Sequence, residues 1–453
     1  MNSILENLKQ HFALTPEQSK VLVVGVGITG ISAARFLQKL GFSFAMVDSR
    51  EKPPINYDFF EQYPDTPVFT GGFDQAAFDV ATHLVVSPGV SLQERIIHKA
   101  IAKGAKIVSD IDLLACSTNA PIIGITGSNG KSTVTTMVGE MATVAGKRVA
   151  VGGNLGTPAL DLWTEDAELY VLELSSFQLE RTSVLNAKAA TVLNISADHL
   201  DRHADLADYA KEKQRIFAGS GVMVLNADDP MVAAMAEPTR KMLTFSIKGT
   251  ADFYLARQCD KEYLMYHDIP LMPLSDLPLE GKHNAANALA ALALGLACGL
   301  DIASMCHALK QFKGLDHRMQ KVATVNGVNW VNDSKATNIG ACIAALDGYD
   351  DKVILIAGGD GKGADMNELT PYVKAKTKAV VLMGKDADLI EAAITGCVPI
   401  YRVQNMIEAV QTAASIATVG DNVLLSPACA SLDQYKNYQD RGNQFAQAVL
   451  ALT

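Results

Sequence analysis

The chain of 453 residues lacks several features, and each absence narrows its role. It has no basic excess: 49 Asp and Glu outnumber 39 Lys and Arg, for a formal net charge of -10. Affinity for a phosphate backbone needs a basic surface, so this balance argues against a nucleic-acid binder. Its seven cysteines contain no C-x-x-C pair and are odd in number, which argues against a disulfide framework or a zinc ribbon. Scattered buried thiols in a reducing cytoplasm are the simpler reading. The N-terminus, MNSILENLKQHFALTPEQSK, has no continuous apolar signal segment. Nothing is long and apolar enough to read as a membrane span. The nearest approach, Ala285 to Leu300, is short, alanine-rich and carries Asn287. Repeats and low-complexity tracts are missing too. A cytoplasmic globular protein with no membrane insertion is expected.

What is present is apolar surface for several cores: 49% of residues are hydrophobic and only 19% charged. The length suggests about three domains at roughly 150 residues each. Short Val/Ile/Leu runs alternate with segments of helical period, which predicts an α/β chain built of βα units around parallel sheets. The runs are Lys20–Val24, Phe44–Val47, Leu84–Val86, Ile122–Ile125, Tyr170–Leu172, Thr191–Leu193, Val222–Leu225, Val353–Ile356, Val380–Leu382 and Val423–Leu425. Breaks are expected near Cys116–Pro121 and near Lys313–Leu315. Just after the second, Asn326-Gly327 between alternating runs predicts a hairpin.

Glycine and polar clusters sit at the C-terminal ends of these strands: GVGITG (25–30), DSR (48–50), SPG (87–89), TGSNGKST (126–133), GGN (152–154), ELSS (173–176), NISADH (194–199), NDSKATN (332–338), GGDGK (358–362) and SPACAS (426–431). Ligands of open α/β sheets bind outside the carboxyl ends of strands, so these clusters predict three binding edges on a shared cleft. Ordinary βα turns have a similar composition, but that does not explain Gly-Lys-Ser-Thr or Glu173.

Pro121 to Thr133 reads as strand, glycine turn, helix. Backbone N–H groups of such a turn face phosphate oxygens, Lys131 reaches the β and γ phosphates, and Ser132 or Thr133 can hold Mg²⁺. Ile125 stands where a strict P-loop has glycine, so this is a variant that still predicts ATP binding. Gly25-x-Gly27-x-x-Gly30 with Asp48 has the shape of a dinucleotide fingerprint. It suits NAD or the diphosphate of a nucleotide-linked substrate, and Arg50 beside the acid softens the NAD case. Glu173 and His199 follow strands expected to flank the P-loop strand, where they can bind Mg²⁺ or merely satisfy structural hydrogen bonds. Tyr209, Lys213 and Phe217 share one helical face, and by itself Lys213 reads as a surface lysine. Asn284 and Asn287 open the alanine-rich helix, suited to an adenine edge or to a cap plus a buried amide.

Together and in this order, these motifs resemble the Mur ligase family, ATP-dependent enzymes that add amino acids to bacterial peptidoglycan precursors. The resemblance covers the whole chain. It includes Leu279-Glu-Gly-Lys-His283-Asn-Ala-Ala-Asn287 and Gly314-Leu-Asp-His317-Arg318. Trp330-Val-Asn-Asp333-Ser-Lys335-Ala-Thr337-Asn and Ser426-Pro-Ala-Cys-Ala-Ser431-Leu432 point to the branch that adds D-glutamate to UDP-N-acetylmuramoyl-L-alanine. Ser49 in place of Thr and Met319 in place of an aromatic are small departures.

The resemblance implies three domains. They are a Rossmann-like UDP-substrate domain over 1–112, a central P-loop-type ATPase domain with a mainly parallel sheet over 113–314, and a Rossmann-like amino-acid domain over 315–453. It implies carboxylate activation by ATP to an acyl phosphate, followed by amine attack, in a monomer. ATP would be bound by Gly127, Ser128, Asn129, Gly130, Lys131, Ser132, Thr133, Asn284, Asn287, Arg318, Asp333 and Lys335. Two Mg²⁺ ions would be held by Ser132 with Glu173 and by His199 with Lys213, the latter as a carbamate. Lys131, Glu173, His199 and Lys213 would thus be catalytic. The UDP substrate would meet Ile28, Thr29, Asp48, Ser49, Arg50, Gly89 and Asn154, and D-glutamate would meet Thr337, Lys362, Ser431, Leu432 and Tyr438. A ligase adding another amino acid, an NAD-dependent oxidoreductase and a nucleotide-binding regulator without turnover are the competing readings.

Overall fold

A computed structural model describes residues 1–53, 63–199, 201–279 and 281–452. Glu280, which falls within one of the motifs above, and Leu200, which follows NISADH, lie outside them. The described strands form three sheets.

The first is all parallel, in the order Val68–Phe69, Phe44–Val47, Val21–Val24, His83–Val86, Lys106–Ile107. The chain reverses direction of travel at Val21–Val24, so the crevice between that strand and His83–Val86 is the switch point where such sheets bind nucleotides. GVGITG and SPG both border it.

The second sheet runs Val149–Gly153, Leu169–Glu173, Ile122–Thr126, Ala189–Val192, Val222–Asn226, Met242–Ser246, Phe253–Gln258, Lys261–Tyr266, Ile269–Pro273. Its first seven strands are parallel and its last two antiparallel. Ile122–Thr126 is buried on both faces, which explains why it reads as an unbroken apolar run. The helices Lys131–Val144 and Lys282–Ala297 pack together over this sheet. Alanine at so many positions of the second helix lets it sink almost entirely into the core, without a polar outer stripe. No described helix is long and apolar enough to cross a membrane.

The third sheet runs Gln320–Val325, Val328–Asn332, Asn422–Leu425, Val353–Ala357, Thr377–Leu382, Ile400–Arg402. The first two strands are the expected hairpin around Asn326-Gly327, with both turn residues at positive φ. The rest are parallel. All ten predicted strands are present, with no end displaced by more than three residues and Phe44–Val47 matched at both. The sequence reading missed Val149–Gly153, the pieces of two or three residues at the sheet edges, and the strands between Met242 and Pro273. Of the last of these, Phe253–Gln258 and Lys261–Tyr266 meet at exposed Arg257, Gln258, Lys261 and Glu262, so no continuous apolar run marks that pair.

Candidate active site

The loop after Ile122–Thr126 is built for close approach. Gly127 and Gly130 have φ of 146° and 82°, a region L side chains rarely adopt. Lys131 opens the following helix and folds back, its Nζ donating to the carbonyls of Gly127 and Ser128 at 2.8 Å each. Asn194, past the neighbouring strand, accepts from the Asn129 N–H at 2.8 Å and pins the turn. Arg318 reaches over from the hairpin of the third sheet and donates to Ser132 Oγ at 2.7 Å.

Glu173 ends the adjacent strand, buried. Asn154 donates to its Oε1 at 2.7 Å, while Oε2 is buried with no hydrogen-bond partner among the described residues. Burial raises the carboxyl pKa, but the Lys131 charge and hydrogen bonds from Asn154 and Ser132 bring it below the usual range. An ionised carboxylate with one idle buried oxygen beside a phosphate-type loop fits a Mg²⁺ ligand. Among the described residues no three His, Cys, Asp or Glu cluster as a self-sufficient metal cage. Mg²⁺ needs none, since it takes one or two carboxylates and completes its shell with phosphates and water.

His199 follows Ala189–Val192 at φ 55°, its ring edge-on to Phe177 at 5.1 Å between centroids. Burial lowers its pKa to about 4, so the ring is neutral near pH 7 and keeps a lone pair for a metal. Beside it His203 stacks on Phe177 and bonds Ser176 Oγ at 3.0 Å.

Lys213 overturns its surface-lysine reading. The side chain is 1% exposed, with Nζ donating to the Gly127 carbonyl at 2.9 Å and lying 4.5 Å from the centre of the Tyr209 ring. It has no salt bridge among the described residues. Burial, and next the Lys131 charge, push its pKa well below that of an ordinary lysine. The neutral amine so favoured is the form that adds CO₂. Lys211 and Arg215, off that face, are exposed.

A cavity of about 800 Å³ opens beside this turn, lined by Gly130, Thr133, Asn284, Asn287, Arg318, Asp333 and Lys335. Asn287 Nδ2 donates to Asn284 Oδ1 at 3.3 Å. Asp333 is at the third-sheet wall, where it accepts from Ser426 Oγ at 2.9 Å, and burial pushes its pKa up to about 7. Lys335 lies 4.0 Å from the centre of the Tyr438 ring.

In the third sheet an antiparallel bridge between Asp360 and Ala430 joins the GGDGK loop, which carries Lys362, to the SPACAS loop, which leads to Ser431 and Leu432. Ser431 is buried, Leu432 is exposed and Thr337 half-buried. Tyr438 departs from this group. Its ring contacts are with Lys335 and His317, on the nucleotide side. Lys362 pairs with Asp198 of the central sheet, which also accepts from Asn338 Nδ2 at 3.1 Å.

At the first sheet Ile28, Ser49, Arg50 and Gly89 are exposed at the crevice, and Thr29 is half-buried. A Cβ on Gly30 would lie 2.0 Å from the Gly25 carbonyl, so glycine there permits the helix to start this close. Asp48 was expected to face a sugar or base. Instead both its oxygens are engaged, by the Val26 N–H at 2.8 Å and by Arg50 at 2.7 and 2.8 Å. The Arg50 hydrogen bond chiefly holds its pKa at about 2.

Sequence reasoning gave no role to Asn338 or Arg181. Asn338 caps the helix Ile339–Asp347, and its polar type at a helix start was an available signal. Arg181, buried, donates to the carbonyls of Val86, Ser87 and Val90, tying the SPG loop to the segment after Glu173. No local pattern marks it.

Three family profiles match this chain: a "Mur ligase MurD-like, N-terminal domain" over residues 19–109, a "Mur ligase middle domain" over 125–295 and a "Mur ligase, glutamate ligase domain" over 317–429. The chain is 54% identical over 437 residues to a UDP-N-acetylmuramoylalanine--D-glutamate ligase of Methylococcus capsulatus, covering 96% of this chain and 95% of that one. Its counterpart in Pseudomonas aeruginosa is 50% identical over 434 residues, covering 94% and 97%. Among solved structures, a pseudomurein peptide ligase type C from Methanothermus fervidus superposes with a TM-score of 0.64 at 18% identity, covering 96% of this chain and 100% of that one. A UDP-N-acetylmuramate-alanine ligase, MurC, from Thermotoga maritima gives 0.61 at 17%, covering 96% and 100%. At these identities the two structures speak to the fold alone.

Proposed function

We infer the function from one premise: the chain belongs to the Mur ligase family, and it is an ATP-dependent ligase that adds D-glutamate to UDP-N-acetylmuramoyl-L-alanine in peptidoglycan precursor synthesis. The substrate carboxylate takes the γ-phosphoryl group to give an acyl phosphate and ADP. The D-glutamate amine then attacks, loses a proton and expels phosphate to leave an amide. The barrier is electrostatic, because a carboxylate must approach a phosphate of like charge.

Our assignment follows the three sheets, with working boundaries at 1–112, 113–314 and 315–453. The first boundary falls inside the helix Asp110–Ser117. Gly127 to Thr133 cradle the ATP phosphates with Lys131 at the transferring group. Arg318 and Lys335 add positive charge from the third domain, Asn284 and Asn287 meet the adenine, and Asp333 the ribose. Bound Mg²⁺ supplies charge neutralisation of the phosphate oxygens. Ser132 and Glu173 would hold one ion, and His199 with a carbamylated Lys213 a second. Ile28, Thr29, Ser49, Arg50 and Gly89 receive the UDP group, with Asp48 orienting Arg50 and the glycine loop, and Asn154 sits toward the muramoyl part. Thr337, Lys362, Ser431 and Leu432 receive D-glutamate, and Tyr438 borders them from the Lys335 side. That all these residues come from one chain supports a monomer, and a nucleotide-linked precursor used with ATP supports a cytoplasmic reaction.

The observation that carries this reading is the Arg318–Ser132 contact at 2.7 Å, which brings a cation of the third domain onto the phosphate turn of the second. The NAD alternative is disfavoured by Asp48, whose oxygens are already taken. The test is phosphate release with ATP, Mg²⁺, UDP-N-acetylmuramoyl-L-alanine and a panel of amino acids. Release with D-glutamate alone is expected. Release with L-alanine or diaminopimelate but not D-glutamate would overturn it.

A further inference from the structure

Arg441 belongs to the helix Tyr438–Leu450 and is only 1% exposed, among the largest fully buried side chains of the molecule. A buried guanidinium normally faces a carboxylate. This one has no salt bridge among the described residues, and every acceptor it uses is neutral. Nε donates to Ser334 Oγ at 3.0 Å, Nη2 to the Ser334 carbonyl at 2.8 Å, and Nη1 to the Cys429 carbonyl at 3.1 Å and, more weakly, the Gly358 carbonyl at 3.5 Å.

Those acceptors follow three adjacent parallel strands: Val328–Asn332, Asn422–Leu425 and Val353–Ala357. The first loop carries Asp333, Lys335 and Thr337, the second Ser431 and Leu432, the third Lys362. One side chain thus fastens all three loops from beneath. The planar fork suits this task, because its five N–H donors leave in fixed, divergent directions. A lysine ammonium offers three donors from one point and cannot span carbonyls of three loops.

The loops differ in what else holds them. The first is anchored to the helix of Arg441 by Asn332 Nδ2, which donates to the Gly442 carbonyl at 2.9 Å, and meets the start of the second where Asp333 accepts from Ser426 Oγ. The second and third are bridged to each other at Asp360 and Ala430, so Arg441 adds to the Asp333–Ser426 contact a tie from that pair to the far side of the first loop, at Ser334. We propose that Arg441 is a positioning residue for D-glutamate, setting the loops of Lys362 and Ser431 at a fixed offset from the nucleotide-bearing loop of Asp333 and Lys335. The inference rests on the assignment of Lys362, Ser431 and Leu432 to D-glutamate. Burial lowers the guanidinium pKa to about 10, so it keeps all its donors through the neutral range.

The test compares Arg441→Lys, Ser334→Ala and Lys362→Ala in the full-length enzyme, measuring KM for each of the three substrates. Arg441→Lys is expected to raise the D-glutamate KM about tenfold or more, with both other KM values within about twofold. Ser334→Ala, which removes the Nε acceptor and with it the hydrogen bond from Ser334 Oγ to the Tyr438 carbonyl at the start of the Arg441 helix, should raise it about threefold, and it decides the matter should the lysine variant not fold. An equal rise in all three KM values, or a fall in thermal stability with no change in the D-glutamate KM, would mark Arg441 as merely structural and overturn the proposal. If Lys362→Ala raises the D-glutamate KM while neither other variant does, the pocket stands and the positioning role falls. If Lys362→Ala leaves that KM unchanged, the pocket assignment itself fails.

Discussion

Lys362 meets Asp198 across the boundary between the third and second sheets, two residues 164 positions apart in the chain. Both side chains are largely buried, and Asn338 supports the same carboxylate. The contact puts the cation assigned to D-glutamate next to His199 and near the phosphate turn, so the amine donor and the activated carboxylate share one space. Removing one partner of a buried pair leaves the other charge uncompensated, at a cost of roughly 3–5 kcal/mol. Lys362→Ala should therefore do two things. It should raise the D-glutamate KM at least about tenfold while leaving that for ATP nearly unchanged, and lower the urea midpoint of unfolding. Steady-state kinetics and a denaturation curve check both, and an unchanged D-glutamate KM would remove Lys362 from that pocket.

Lys213 leads to a prediction of a different kind. Its amine is buried without a carboxylate partner among the described residues, 2.9 Å from the Gly127 carbonyl, and is pushed toward the neutral form. If the residue acts as a carbamate, it contributes an oxygen ligand rather than a charge-bearing ammonium. Lys213→Ala should then lower kcat by about two orders of magnitude or more, and acetate or formate should restore part of it by entering the vacated space. Near-normal turnover of the variant without added acid would exclude the role.

The parts of this site that could be read from sequence are those whose chemistry is local. Lys131 and Ser132 sit in a strand, turn and helix of contiguous residues, and Glu173 ends an apolar run where a carboxylate stands out. The burial of Lys213 could not be read this way. Its spacing from Tyr209 and Phe217 gives a shared face, but whether that face meets solvent or the underside of another loop is a tertiary fact. Resemblance to the family corrected it, and local pattern did not. Asp48 shows the converse. The fingerprint placed it at the right crevice, but the sequence did not reveal that Arg50 and the Val26 N–H occupy both oxygens. Arg181 and Arg441 were invisible because most of their partners are backbone carbonyls, which every residue type offers.

Asp110 gives a pH prediction away from the chemistry. It is buried at the start of the helix Asp110–Ser117, where burial raises its pKa to about 6 despite a hydrogen bond from Gln178. The sign follows from linkage. A carboxyl whose folded pKa exceeds its unfolded value near 3.8 favours the folded state fully below pH 3.8, and that contribution is lost as pH rises through about 6. Above that, the folded protein carries an ionised carboxylate in a desolvated place. Asp110→Asn keeps the shape and removes the charge, so it should be more stable than the parent at pH 8, by roughly 2–3 kcal/mol. At pH 4 the gain should vanish. Urea unfolding at the two pH values measures this, and an equal effect at both would show that the carboxyl is not titrating there.

Gly130 couples the phosphate turn to the adenine side of the cavity. Its φ of 82° costs an L residue about 1–2 kcal/mol, and an added Cβ would lie 2.5 Å from Asn287 Oδ1. The obstructing atom is the end of a side chain, so Asn287 can swing away, and Gly130→Ala should still fold. Swinging away has a consequence, because Asn287 Nδ2 is bonded to Asn284, and the two amides line the cavity together. The strain also falls at the residue that caps the helix of Lys131 and Ser132, shifting the N–H groups that face the phosphates. Both changes act on the nucleotide and neither touches the loops of Lys362 or Ser431. The expected result is an ATP KM raised by about tenfold with the D-glutamate KM within about twofold, the mirror image of Arg441→Lys. Calorimetric titration with ADP should show the same weakening without turnover. ADP affinity equal to that of the parent would mean that neither the turn nor the asparagine pair touches the nucleotide as assigned.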